Sequence, residues 1–173
     1  MKEFWDFDEN VNFSLVKGYK VLNTYPDTPA AAKLLNDLKF ITYRSFMSIH
    51  ASENLTPEIE LLLKTPFRLQ EMQLEKFQGD ILFEGLNKPK GVHTKRTAQN
   101  LGKDGKLRAT YRVIFLTIRN KNGKLKKIEK ILPLLSHELA HTALNHVKWR
   151  DDDHGRHFNS LDKLILKHLI VNI

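Results

Sequence analysis

The chain of 173 residues contains no cysteine. Disulfides, thiol nucleophiles and cysteine-ligated zinc are therefore excluded, and any metal site must be built from His, Asp and Glu. Long apolar runs are missing too. The longest, Leu164 to Ile173, is interrupted by Lys167, His168 and Asn172 and is too short to span a bilayer. No apolar stretch of signal-peptide type follows Met1, so an intracellular protein, cytoplasmic or nuclear and not secreted, is expected. Glycine and proline number only eight and six. They form no linker, and no repeat or low-complexity tract accompanies them. What is present is a 41% hydrophobic fraction, enough for a real core at this length. One domain is expected over residues 28–173, preceded by an N-terminal arm, residues 1–27.

Charge is unevenly spread. The formal net charge is +8, but Leu86 to Lys130 alone carries fourteen Lys or Arg against Asp104 and Glu129. The remainder is net acidic. A concentrated basic stretch suits a nucleic acid or another polyanion, and equally a solvated, lysine-rich set of hairpins.

The order of local signals is helices, a small sheet, then helices, which is α+β. Tyr19 to Leu22 reads as a short strand after a loosely packed start. Pro26-Asp27-Thr28-Pro29 opens a helix running to about Ala51, with Asp27 or Thr28 as N-cap. Thr56-Pro57-Glu58 opens a second, short helix. Pro66 to Phe83 reads as extended with a turn at Gln78-Gly79-Asp80, and Gly85, Pro89 and Gly91 as a loop. Leu107 to Arg119 is rich in Thr, Tyr, Val, Ile and Phe and reads as the best strand. Asn120-Lys121-Asn122-Gly123 reads as a hairpin turn supplying positive φ angles, followed by a strand from Lys124 to Lys130. A helix then starts near Leu132, with Pro133 in its first turn, and reaches His146 or Val147. Leu135, Leu139 and Ala143 are expected to face inward against the Pro29 helix. A polar loop, Lys148 to Asp153, leads to a last helix with Phe158, Leu161, Leu164, Ile165 and Leu169 on one face. One of Asp151 to Asp153 is expected to cap it, and Trp149 to tuck against a helix end. His168 is read as structural or exposed, and His93 stays unassigned.

The chemistry lies in His137-Glu138-Leu139-Ala140-His141. Residues four apart on a helix are separated by only about 40° and one turn, so His137 and His141 can meet one ion. Glu138, about 100° round, is placed to touch a metal-bound water and act as general base. One Zn²⁺ per chain is the expected cofactor. A catalytic zinc needs a third protein ligand. His154 is favoured, because the polar loop lets the chain return and Gly155 admits close backbone approach. His157 lies near it. His146 falls about half a turn off the His137 face if the helix continues, and would then point to the back.

His137 to His141, a loop, and then His154-Gly155-Arg156-His157-Phe158 resemble the H-E-x-x-H and H-G-x-x-F of SprT-like metalloproteases. Gly85-Leu86-Asn87-Lys88-Pro89-Lys90-Gly91, a strand ending Thr117-Ile118-Arg119, and Leu134 to His141 are similar to the WLM-type metalloprotease domain. The longer loop before His154 is of the SprT kind. The resemblance covers roughly residues 28–169. It implies a zincin-like core, zinc held by His137, His141 and His154, and a peptidase acting on proteins attached to DNA. Arg108, Arg112, Arg119, Lys121, Lys124, Lys126 and Lys127, on the strand and hairpin before the active-site helix, are the candidate DNA contacts. The expected partners are a protein or peptide substrate and DNA, with no membrane, for a chain acting as a monomer. The rival expectations are a nucleic-acid-binding module with a structural or degenerate zinc site, and a metallopeptidase unrelated to DNA.

Overall fold

The structure is a computed structural model and describes residues 12–73, 75–77, 81–91, 107–146 and 154–173. The turn expected at Gln78-Gly79-Asp80, the segment 92–106 with its lysines and His93, and the Lys148 to Asp153 loop with Trp149 lie outside the described residues.

The architecture is mixed α+β. A hairpin, β1 (Phe13–Val16) and β2 (Tyr19–Leu22), precedes helices α1 (Thr28–Ser52) and α2 (Pro57–Lys64). Lys17 and Gly18 join the two strands with φ of 51° and 87°, the paired positive angles that suit a two-residue hairpin turn. Residues 13–16, expected to be loosely packed, are therefore paired, and Val21 is buried in the main core. β3 (Phe67–Glu71), β6 (Gly85–Lys90) and β7 (Tyr111–Leu116) make a three-stranded sheet in the order β3-β7-β6. β3 runs parallel to β7, whereas β6 runs antiparallel to it, with Asn87 opposite Ile114. Between β3 and β6, β4 (Glu75–Phe77) and β5 (Ile81–Phe83) pair antiparallel. Helices α3 (Ile128–Ala143) and α4 (Arg156–Val171) complete the chain.

β7 is the centre of the sheet and is buried on both faces. Ile114 and Leu116, continued by Ile118, face the helices in the main core, while Val113 and Phe115 join Met72 and Leu86 in a second cluster. Alternation along a strand sends neighbours to opposite faces, so Arg112 shares the helix-facing side with Ile114 and Leu116. This placement decides its role below.

Three expectations are corrected. The glycine- and proline-marked stretch at Gly85 to Lys90 is a strand rather than a loop. Pro89 is tolerated because β6 is an edge, where a missing ladder donor costs little. The expected strand Lys124 to Lys130 shrinks to one bridge, Arg119 with Leu125, and α3 begins at Ile128. Ile128, Ile131, Leu132 and Leu135 give an apolar stripe at helical spacing. Pro133 sits inside α3 and removes one intrahelical bond near its start. The hairpin before α3 carries three loop residues: Asn120 N–H reaches Lys124 O, Gly123 N–H reaches Asn120 O, and Gly123 has φ 83°.

Leu135, Leu139 and Ala143 are buried as expected. Their helix packs mainly against α4, α2 and strands β6 and β7, and α1 reaches the assembly through α4 and β2. The partner expected for α3 is corrected accordingly. Among the described residues, no helix is long and apolar enough to cross a membrane.

Candidate metal centre

α3 ends at Ala143 because Asn145 takes the left-handed conformation, φ 58°. Its N–H bonds Thr142 O, and the His146 N–H bonds His141 O at 3.1 Å. This six-to-one and five-to-two pairing is the helix-closing Schellman arrangement, with Asn in the position usually held by glycine. The helix therefore stops before His146, which does not point to the back as expected from a continued helix. Its imidazole turns to His141, with the two Nδ1 atoms 2.7 Å apart.

The third expected ligand comes from the start of α4. Gly155 caps that helix, a place expected for one of the aspartates. His154, just before it, brings its Nε2 to within 3.3 Å of His141 Nε2. Ligand atoms of His137, His141 and His154 all lie within 4.8 Å of one another. Tetrahedral Zn–N bonds of 2.0–2.1 Å hold neighbouring nitrogens about 3.4 Å apart. The observed spacing therefore fits one ion, and an all-imidazole donor set suits zinc, copper, iron or nickel. Phe158, 2% exposed, forms the floor. Its ring centroid lies 5.0, 4.8 and 4.7 Å from those of His137, His141 and His154, and 6.3 Å from that of His146, with which it stacks.

His157, the other expected alternative, points elsewhere. It is exposed, with Nε2 3.6 Å from Glu58 Oε1. Burial, and then the neighbouring His137, His146, His154 and Arg112, push the His141 pKa down to about 2. His141 is thus neutral throughout the physiological range, the form that binds metal.

Glu138 is 3% exposed. With His137 it lines a cleft of about 640 Å³ whose other walls are Glu84, Gly85, Lys126, Lys130, Pro133 and Leu134. Gly85 lets β6 and α3 cross closely: a Cβ there would stand 2.7 Å from Leu134 Cδ1 and 3.2 Å from Phe115 O, so Leu134 would have to shift.

The basic residues divide. Lys121, Lys124 and Lys127 are exposed, and Lys126 is half-buried at the cleft with Lys130. Arg108 is half-buried. Arg112 and Arg119 are corrected as DNA contacts. Arg112 is 1% exposed and donates to Asn87 Oδ1 and His146 O. Arg119 pairs with Glu71 Oε1 at 2.6 Å and Asp27 Oδ1 at 2.7 Å, and lies over the Tyr25 ring. Their guanidinium groups are committed inside the protein. The same inward placement gives His168, read as structural or exposed, bonds to Ser48 Oγ and Glu53 Oε1.

Sequence reasoning missed the roles of His146 and Asn87. Asn87 donates to Glu138 O and Thr142 Oγ1. The available signal was Asn145, a residue type that tolerates the left-handed region and so marks a helix end before His146.

No protein-family model, curated protein or solved structure matches the chain.

Proposed function

We propose that this chain is a zinc-dependent endopeptidase with a zincin-like core. The observation that carries this reading is the convergence of His137, His141 and His154 on one point, next to a cleft walled by the buried Glu138. A purely structural metal site has no use for that carboxylate. When bound, the zinc supplies Lewis acidity, which acidifies water and polarises a peptide carbonyl. Glu138 takes the proton from the attacking water and delivers it to the leaving amine, general acid–base work typically worth about 10²–10⁴-fold. β6 is one of the two edge strands of the sheet and contributes Gly85 to the cleft. An extended substrate laid along that edge gains main-chain hydrogen bonds.

The substrates in this reading are proteins associated with DNA. Lys126 and Lys130 at the cleft and the exposed Lys121, Lys124 and Lys127 support it, since they offer phosphate contacts without base readout. Incubation of zinc-loaded protein with an unstructured protein substrate tests the activity. Cleavage should stop with a chelator and return with zinc; absence of cleavage by fully loaded protein would overturn the peptidase reading. Stimulation by single-stranded DNA that fades as salt rises separates the DNA-associated substrate from an unrelated peptide substrate.

A further inference from the structure

His146 is bound to His141 twice. The backbone joins them through His146 N–H to His141 O, 3.1 Å, and the rings through their Nδ1 atoms, 2.7 Å apart. The contact falls on the Nδ1 side of the His141 ring, while its Nε2 faces His154 Nε2. A neutral imidazole that offers Nε2 to a metal carries its proton on Nδ1 and donates it. Two Nδ1 atoms at this distance share a single proton, so His146 accepts with Nδ1 and carries its own proton on Nε2.

What holds His146 in place is equally specific. Its carbonyl accepts from Arg112 Nη1 at 2.7 Å. The same Nη1 donates to Asn87 Oδ1 at 3.1 Å, and Asn87 Nδ2 donates to Glu138 O at 2.6 Å and Thr142 Oγ1 at 2.7 Å. A fully buried cation from the central strand and an amide from the edge strand thus clamp the end of α3 and the turn after it. A buried guanidinium is expensive to desolvate and is tolerated where hydrogen bonds satisfy it. Here those bonds end on the backbone that presents Glu138 and His146.

We propose that His146 is a positioning residue for the metal centre. It fixes the tautomer and ring orientation of His141 without ligating the ion, and Arg112 and Asn87 hold it there. The inference rests on the reading of His137, His141 and His154 as the zinc ligands. A ring nitrogen bound this way typically strengthens metal affinity 10–100-fold.

The test is zinc affinity, by competition with a chromophoric chelator, for wild type, His146→Leu and His146→Asn. Apo-protein melting and the visible spectrum of the Co²⁺ form are measured alongside. Asn places Oδ1 as many bonds from Cα as the imidazole Nδ1, so it keeps the acceptor, and Leu keeps only bulk. His146→Leu should still bind one zinc, 10–100-fold more weakly, with a shifted Co²⁺ spectrum and an apo melting point near wild type. His146→Asn should recover most of the affinity. Wild-type affinity in His146→Leu, or no recovery in His146→Asn, would overturn the positioning role. Complete loss of zinc from His146→Leu would overturn it by making His146 a ligand. Wild type that binds no zinc would overturn the metal centre itself, and this inference with it.

Discussion

Replacing Arg119 by methionine removes the cation that joins three parts of the fold. The guanidinium hydrogen-bonds Glu71 of β3 and the Gly123 carbonyl of the hairpin, and in the segment before α1 it pairs with the Asp27 carboxylate by charge and covers the Tyr25 ring at 4.1 Å. Glu71 is completely buried, with its other carboxylate oxygen on the Leu22 N–H at 2.8 Å. Burial raises the Glu71 pKa above its ordinary value, and the Leu22 N–H and Arg119 oppose that rise. Without Arg119 the opposition weakens and the folded-state pKa climbs further. Breaking one side of a buried pair costs about 3–5 kcal/mol. At roughly 2–4 °C per kcal/mol for a chain of this size, melting falls by about 10 °C. The sign with pH follows from the raised value: folding favours the protonated acid, so the variant keeps most stability at low pH and loses it as pH rises through the folded pKa. Urea unfolding followed by circular dichroism at pH 5 and pH 8 should show a larger deficit at pH 8. Glu71→Leu combined with Arg119→Met should recover stability, because no charge is then left buried alone. A deficit equal at both pH values, additive single effects, or a stable Arg119→Met that binds DNA less tightly would refute the reasoning and return Arg119 to the surface.

His154→Ala should lose bound zinc by elemental analysis, whereas His157→Ala should retain one equivalent. Glu53 has its pKa lowered by the His168 and Lys167 hydrogen bonds. Its contribution to stability is therefore present above the ordinary carboxylate pKa and lost as pH falls through the folded value; Glu53→Gln should show a flatter acid limb in a melting-against-pH series. Replacing the exposed Lys121, Lys124 and Lys127 together by Ala should leave cleavage of a small unstructured peptide intact and weaken cleavage of a DNA-bound protein, most at low salt. Unchanged DNA binding across a salt titration would remove the hairpin from the DNA face.

Local signals with a direct physical cause were legible. The start of α1 follows from proline in its first turn, since Asp27 makes no side-chain cap bond, the start of α2 from proline and the Thr56 cap, and α4 from its apolar stripe. His137, His141 and His154 were nameable because helix periodicity joins the first two and a polar loop returns the third. The failures concern long-range placement. Proline's preference for a first helical turn places Pro133 there, but the Ile128 to Leu135 stripe, packed into the main core, extends the helix backwards. Pro89 and two glycines suggested a loop, and only pairing with β7 makes β6 a strand. Arg112 and Arg119 look like any basic residue in sequence. Their fate is set by which face of β7 carries Arg112 and by Glu71, which is distant in sequence. His146 required knowing that Asn145 reverses the chain.

The most direct test of the account is turnover and zinc content measured on the same preparations of wild type and Glu138→Gln. The account predicts about one zinc per chain and unchanged melting in both, because Gln has the same shape and no ligand is removed. It also predicts that hydrolysis of an unstructured peptide falls about 10²–10⁴-fold in the variant. Zinc-loaded Glu138→Gln that cleaves at the wild-type rate would contradict it.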